Sequence, residues 1–236
     1  MWRRLKPAEI ELPGVIVPIL FEDRNVLAID KPAGWMLAPP HWDKTSRNLQ
    51  RELMLSLENR DFWAVSRHVK FIRFVHRLDA ETSGALLLAK SAGALSALSA
   101  LFETRRVQKK YLAVVRGIPK EPEWVCQQRI SEKPNANGQM YVDARNGNES
   151  ETAFRVLRSA NGVSLIEAMP TTGRTHQIRV HLGATGLAIL GDKLYGGPPG
   201  EFGLRSVELS YVDPFHKRPV HVIAPTAEFL RRFHFA

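Results

Sequence analysis

Phe71–Lys90 reads FIRFVHRLDAETSGALLLAK, and the rest of the chain is organised around it. Two apolar runs, Phe71–Val75 and Ala85–Ala89, have the length and bulk of buried strands. Between them lies a polar knot of His76, Arg77, Asp79, Glu81, Thr82, Ser83 and Gly84. A chain that crosses a core, breaks into charge and returns leaves that charge at a strand end, where rigid scaffolds present chemistry. Asp79 stands in the middle, two residues after Arg77. Taken alone, the knot reads equally well as a turn whose aspartate caps backbone N–H groups.

The chain has 236 residues, with 44% hydrophobic and 24% charged, the composition of a globular protein with a sizeable core. Its charge is less ordinary. Thirty-three Lys and Arg against 24 Asp and Glu give +9, and the pI is about 9.9. An excess of cations favours polyanions, nucleic acid or an acidic membrane surface, and also serves solubility. The single cysteine, Cys126, excludes an internal disulfide or a thiolate zinc cage and fits a reducing compartment. Residues 1–14 hold no apolar stretch long enough for a signal peptide, and no window reaches the ~20 apolar residues of a membrane span. The expectation is a cytoplasmic protein with no membrane partner.

Residues 1–14 read as a basic arm laid over the surface. Val15–Leu20 and Val26–Asp30 predict strands around the turn Glu22-Asp23-Arg24-Asn25. The second runs into Lys31-Pro32-Ala33-Gly34, which holds Lys31 at a strand end as a candidate phosphate contact. Ser46–Glu58 predicts a helix capped by Ser46, with Leu49, Leu53 and Leu57 on one face. Ala92 to about Arg105 predicts another, with Leu95, Leu98, Leu101 and Phe102 as its apolar stripe. Lys109–Val115 reads as a strand with Tyr111 near its start. Residues 118–150, rich in Pro, Asn and Gly, read as edge strands and loops and as the place for any boundary. Thr152–Leu157 and Val163–Ala168 predict a hairpin turned by Ala160-Asn161-Gly162. A second polar block follows, Gly173-Arg174-Thr175-His176-Gln177-Ile178-Arg179-Val180-His181-Leu182, with Thr175 as a helix cap. The tail predicts strands near Val207–Tyr211 and Val220–Ile223, then a helix from Thr226 to Phe233.

Several chemistries fall away. His176 and His181 miss the i, i+4 spacing of a helical metal pair, and no His-Glu-x-x-His occurs. Gly186-x-x-x-x-Gly191 is followed by Asp192, which breaks the phosphate-loop pattern. No Gly-x-Ser-x-Gly is present. Asp79 and Glu81 are a weak pair for glycoside hydrolysis. What survives is one carboxylate among cations on a basic protein. A buried aspartate loses its charge unless a guanidinium holds it, and the block containing Arg179 is the other dense polar knot.

These residues carry a resemblance. His76-Arg77-Leu78-Asp79-x-x-Thr82-Ser83-Gly84 with its apolar strand resembles the catalytic motif of the RluA-type pseudouridine synthases. Lys110-Tyr111-Leu112-Ala113-Val114-x-x-Gly117 resembles their tyrosine strand. Gly173–Leu182 resembles their arginine motif, Gly191-Asp192-x-x-Tyr195-Gly196 their following loop, and Lys31-Pro32-x-Gly34 their opening motif. The five blocks come in the family's order. The resemblance implies an α/β (α+β) fold, a central mixed, mostly antiparallel sheet flanked by helices with a basic cleft. It implies isomerisation of uridine to pseudouridine in ribosomal or transfer RNA, with no cofactor and no metal.

It also implies roles. Asp79 is the nucleophile or base that breaks the C1′–N1 bond; direct attack on C1′ and a glycal intermediate both stay open. Tyr111 stacks on the extruded base, Arg179 pairs with Asp79, and Arg77 contacts phosphate or fills the gap left by the flipped nucleotide. His76, Arg174, His176, Gln177, Ile178 and Tyr195 complete the candidate substrate-binding set. Two departures stand out: Ala80-Glu81 where the family has a basic then an acidic residue, and Leu204-Arg205-Ser206 in place of Leu-His-Ala. The expected organisation is an arm over 1–14 and one catalytic domain over 15–236, a monomer without a separate N-terminal RNA-binding domain. An RNA-binding assembly factor without turnover is the alternative from another class, and a base-removing glycosidase a third.

Overall fold

A computed structural model describes residues 6–37 and 46–236. The chain folds as two compact units, one formed by the residues up to Val107 with Ser210–Ala224, the other by Gln108–Leu209 with Pro225–Ala236. The division falls at the start of a strand, not in the Pro- and Gly-rich 118–150. The fold is mixed α/β, mostly antiparallel strands with few helices, as the resemblance implies.

The first unit opens with β1 (Glu9–Leu12), β2 (Val15–Glu22) and β3 (Val26–Lys31). Their ladders are antiparallel, and β3 in turn pairs with β5 (Ser83–Ala89), setting Lys31 opposite Gly84. The expected surface arm is therefore a strand over residues 9–12. Ile10 and Leu12 alternate inward with Glu9 and Glu11, and both apolar side chains are buried, which decides the matter. The helix α1 (Leu49–Glu58) starts later than expected. Its cap is Asn48, whose side chain accepts Arg51 N–H at 3.1 Å, not Ser46. α2 (Phe62–Val65) follows, and α3 (Ala92–Glu103), capped by Ser91, packs on β5.

The apolar run Phe71–Val75 yields only a two-residue strand, β4 (Arg73–Phe74), paired with the end of β5. The ladder stops for a local reason. Val75 N–H still reaches Leu87 O at 3.0 Å, but the Leu87 N–H goes to His76 Nε2 at 3.1 Å. A side chain takes the donor that a continuing strand would have used.

In the second unit β6 (Gln108–Arg116), β9 (Val163–Pro170), β8 (Thr152–Ala160) and β7 (Glu123–Cys126) lie side by side in that order, all antiparallel. Asn161-Gly162 closes the β8–β9 hairpin with φ of 53° and 75°, the left-handed pair that a two-residue turn requires. α4 (Gln177–Ala184) packs on β8 and β9. Its cap is not Thr175. His176 occupies the position with φ 57° and no side-chain cap bond. Instead Gln177 Oε1 accepts Arg174 N–H at 3.0 Å. Leu112, Val114 and Leu165 form a core with Phe229 of α5 (Ala227–Arg232) and with Phe235; each fully buried large apolar side chain contributes about 1.5–3 kcal/mol. β10 (Leu204–Val212) carries the chain back to the first unit, where β11 (Pro219–Ile223) pairs with it.

Candidate active site

In the first unit the Asp79 turn hangs on one side chain. β3 ends at Lys31, which is 0% exposed. Its ammonium donates to the carbonyls of Pro32 at 2.9 Å, Ala80 at 2.8 Å and Thr82 at 2.9 Å. Gly34 N–H adds a second bond to Ala80 O at 2.8 Å, and Thr82 N–H closes the turn on Asp79 O at 3.1 Å. The ammonium meets three carbonyls, two of them in the turn that follows Asp79, so that turn is fastened to the end of β3. Burial pushes the Lys31 pKa down to about 7, opposed by the negative charges of Glu81 and Asp79. The expected role of Lys31 as a phosphate contact is corrected here: an enclosed ammonium committed to the backbone holds the loop.

The geometry also addresses the Ala80-Glu81 departure. What the turn uses at position 80 is a carbonyl, which every residue has, and Glu81 is exposed. His76 is likewise tied down. Its Nε2 accepts from Leu87, and its ring stacks on Phe102 at 4.5 Å and 18°. Arg77 is exposed and Asp79 half-buried, so the sharp bend between His76 and Ser83 sets a cation and a carboxylate two residues apart on a rigid base.

In the second unit Tyr111 lies on β6 opposite Ala168 and is 8% exposed. Arg179 is 7% and Asp192 1% exposed. The two form a bidentate ion pair, Nε to Oδ2 at 2.8 Å and Nη2 to Oδ1 at 2.8 Å. The guanidinium carbon stands 4.9 Å from the Tyr195 ring centre and 5.3 Å from that of Phe202. The Tyr195 hydroxyl meets His176 Nδ1 at 2.8 Å and accepts Met140 N–H at 2.9 Å. Thus Arg179, His176 and Tyr195, three residues singled out in two separate blocks, converge.

Gln177 and Ile178, expected at the substrate, are 4% and 6% exposed. Gln177 bridges Thr172, Arg174 N–H, Glu151 O and Thr152; it is a strut, and Ile178 is core. Arg174 stays exposed with Nε donating to Glu149 O at 2.9 Å. Arg205, one of the departures, donates to Pro225 O at 3.0 Å and is buried, which gives it a structural task. Asp192 and Phe202 carry no role in the sequence reading. The signal for Asp192 was its place in Gly191-Asp192-x-x-Tyr195-Gly196; only folding shows which cation it serves. Among the described residues no three His, Cys, Asp or Glu side chains are grouped to hold a metal.

A family model described as RNA pseudouridylate synthase matches residues 25–184, which include Asp79, Tyr111 and Arg179. The chain belongs to this family. It is similar to ribosomal large subunit pseudouridine synthase D of Borreliella burgdorferi, 33% identical over 83% of this chain and 58% of the relative. It is also similar to ribosomal large subunit pseudouridine synthase C of Vibrio vulnificus, 31% identical over 91% of this chain and 67% of the relative. The chain thus spans about six tenths to two thirds of the length of these curated relatives. Among solved structures, human RNA pseudouridylate synthase domain containing 4 superposes with a TM-score of 0.72 at 25% identity, over 92% of each chain. Human RNA pseudouridylate synthase domain containing 1 gives 0.70 at 28% identity, over 89% of this chain and 83% of that one.

Proposed function

We propose that this chain is an RNA pseudouridine synthase, with uridine in large-subunit ribosomal RNA as its substrate and transfer RNA as the other candidate. The observation that carries this reading is the family match over 25–184, inside which the three residues the chemistry needs are all retained. The names of the relatives point to ribosomal RNA, and the +9 charge suits a polyanion.

In the reaction the C1′–N1 bond breaks, the uracil turns, and a C1′–C5 bond forms; N1 gains a proton and C5 loses one. No external reagent is consumed. Asp79 acts at the sugar, by attack at C1′ or as a base leading to a glycal, from a turn that Lys31 holds in place. Tyr111 supplies an aromatic face for the extruded base, since a stacked base cannot be reached. Arg179 is the arginine that the resemblance pairs with Asp79. Arg77 and Arg174, both exposed, serve the RNA backbone. Action as a monomer in a reducing, cytoplasmic setting belongs to the same reading, supported by the lone buried Cys126; no described helix is long and apolar enough to cross a membrane.

The test uses an unmodified transcript of large-subunit ribosomal RNA carrying tritium at uridine C5. Wild type should release tritium to water, and Asp79→Ala should release none while binding the transcript with similar affinity. A wild-type chain that binds but releases nothing would leave the assembly-factor reading, and abasic sites revealed by aniline cleavage would leave the glycosidase.

A further inference from the structure

We infer that Asp192 is a positioning residue for the reaction: it fixes the plane and the charge of Arg179, and the Tyr195 and Phe202 rings keep that plane from turning. The inference rests on the reading that Arg179 works at the reacting carboxylate.

An arginine side chain has several rotatable bonds and carries a large rotamer entropy. One hydrogen bond would leave the guanidinium free to pivot, and two parallel bonds from Nε and Nη2 to one carboxylate do not. Asp192 is itself immobilised. Its Oδ1 accepts Leu194 N–H and Tyr195 N–H, both at 3.2 Å, and its carbonyl accepts Gly197 N–H at 2.8 Å.

The loop that carries Asp192 has no slack. A Cβ at Gly191, where φ is +73°, would lie 2.3 Å from Glu201 O, and one at Gly197 would lie 2.0 Å from Ile189 O. Tyr195, anchored by His176 and by Met140 N–H, packs with the cluster of Ile130, Met140 and Val180. Backbone, loop and ring therefore converge on one guanidinium.

The pair also settles a charge question. A buried guanidinium without a counter-ion is costly, and Asp192 supplies the counter-charge from the same unit. The guanidinium stays a cation and is held in one orientation by a fixed counter-ion.

Asp192→Asn keeps the size of the side chain and removes its charge; Asp192→Glu keeps the charge and displaces it by one methylene. Both are compared with wild type under single-turnover conditions on the tritiated transcript, with transcript affinity measured separately. Asp192→Asn should lower the rate about 100-fold, the scale of a misplaced catalytic group, with affinity within about twofold. Asp192→Glu should recover part of the loss. The Arg179 Nε–H resonance should be protected from exchange in wild type and lose that protection in Asp192→Asn, a readout independent of turnover. An Asp192→Asn enzyme with the wild-type rate, or one whose rate falls only in proportion to its folded fraction by circular dichroism, overturns the inference. A wild-type chain with no tritium release fails the functional reading instead and takes the catalytic part of this inference with it, whereas unprotected Arg179 Nε–H in wild type removes the positioning claim directly.

Discussion

At the scale of single residues, Lys31 shows how a charged side chain serves a turn from below. Lys31→Met leaves the carbonyls of Pro32 and Thr82 without their donor, while Ala80 O keeps Gly34 N–H. Each buried orphan costs about 1–3 kcal/mol, offset in part by the relief of burying no charge, so a net loss of roughly 2 kcal/mol is expected in urea unfolding. The pH dependence has a definite sign. Burial, against Glu81 and Asp79, holds the folded pKa near 7, below the usual lysine value of 10.5. Between those values the unfolded chain binds a proton that the folded chain releases, so this group's contribution to stability rises as pH climbs from about 7 towards 10.5 and is flat below 7. The difference between wild type and Lys31→Met, measured at pH 7 and pH 9, should shift in favour of wild type at the higher pH.

At the scale of elements, two junctions carry more than their lengths suggest. Glu22 ends β2 and gathers Arg67, just after α2, at 3.0 Å, Lys90, at the end of β5, at 2.9 Å, and Lys6 at 3.6 Å. Burial alone would raise its pKa, but Lys90, Arg67 and Lys6 outweigh it and hold the carboxyl below its ordinary value. A carboxylate held low contributes stability above its unfolded pKa and loses it as pH falls through 4.5 and on through the folded value. Glu22→Gln removes the counter-charge of the Arg67 guanidinium, whose side chain is only 4% exposed and which keeps its bonds to the carbonyls of Pro7 and Trp63; it should cost roughly 3 kcal/mol at neutral pH and flatten acid unfolding over that window. The loop after α4 is the second junction. Gly197→Ala places a methyl against Ile189 O, so the loop must shift and Asp192 with it. Overpacking of this kind costs about 1–3 kcal/mol, and single-turnover tritium release should fall more than RNA affinity does.

At the scale of the whole molecule, the surplus of nine positive charges predicts binding to RNA that is steep in salt. Counter-ions released from phosphates make log affinity fall linearly with log salt. Between 50 and 200 mM potassium chloride the affinity for the transcript should drop at least about tenfold by filter binding. Arg77→Ala and Arg174→Ala should each reduce the slope by about one, the signature of a lost phosphate contact.

What the residues alone determined is the type and order of most elements and the family. β3, β5, β6, the β8–β9 hairpin and α3 follow from apolar period, turn residues and caps, which are local and act along the chain. Local signals also misled where a distant group intervened. Phe71–Val75 has a strand's composition, but His76 takes the ladder's next donor. Ser46 and Thr175 are good caps in isolation, but Asn48 caps the first helix, and the other starts after His176 with no side-chain cap. Residues 9–12 became a strand because β2 offered an edge and Ile10 and Leu12 could be buried. Which charges meet was the part only the tertiary structure decided. Lys31 turned from surface cation to buried strut when the carbonyls of residues 80 and 82 came within reach, forty-nine and fifty-one positions away. Asp192 became the partner of Arg179 across thirteen positions and a loop. Hydrogen bonds and ion pairs depend on approach in space, and sequence spacing does not encode that distance once the chain has turned.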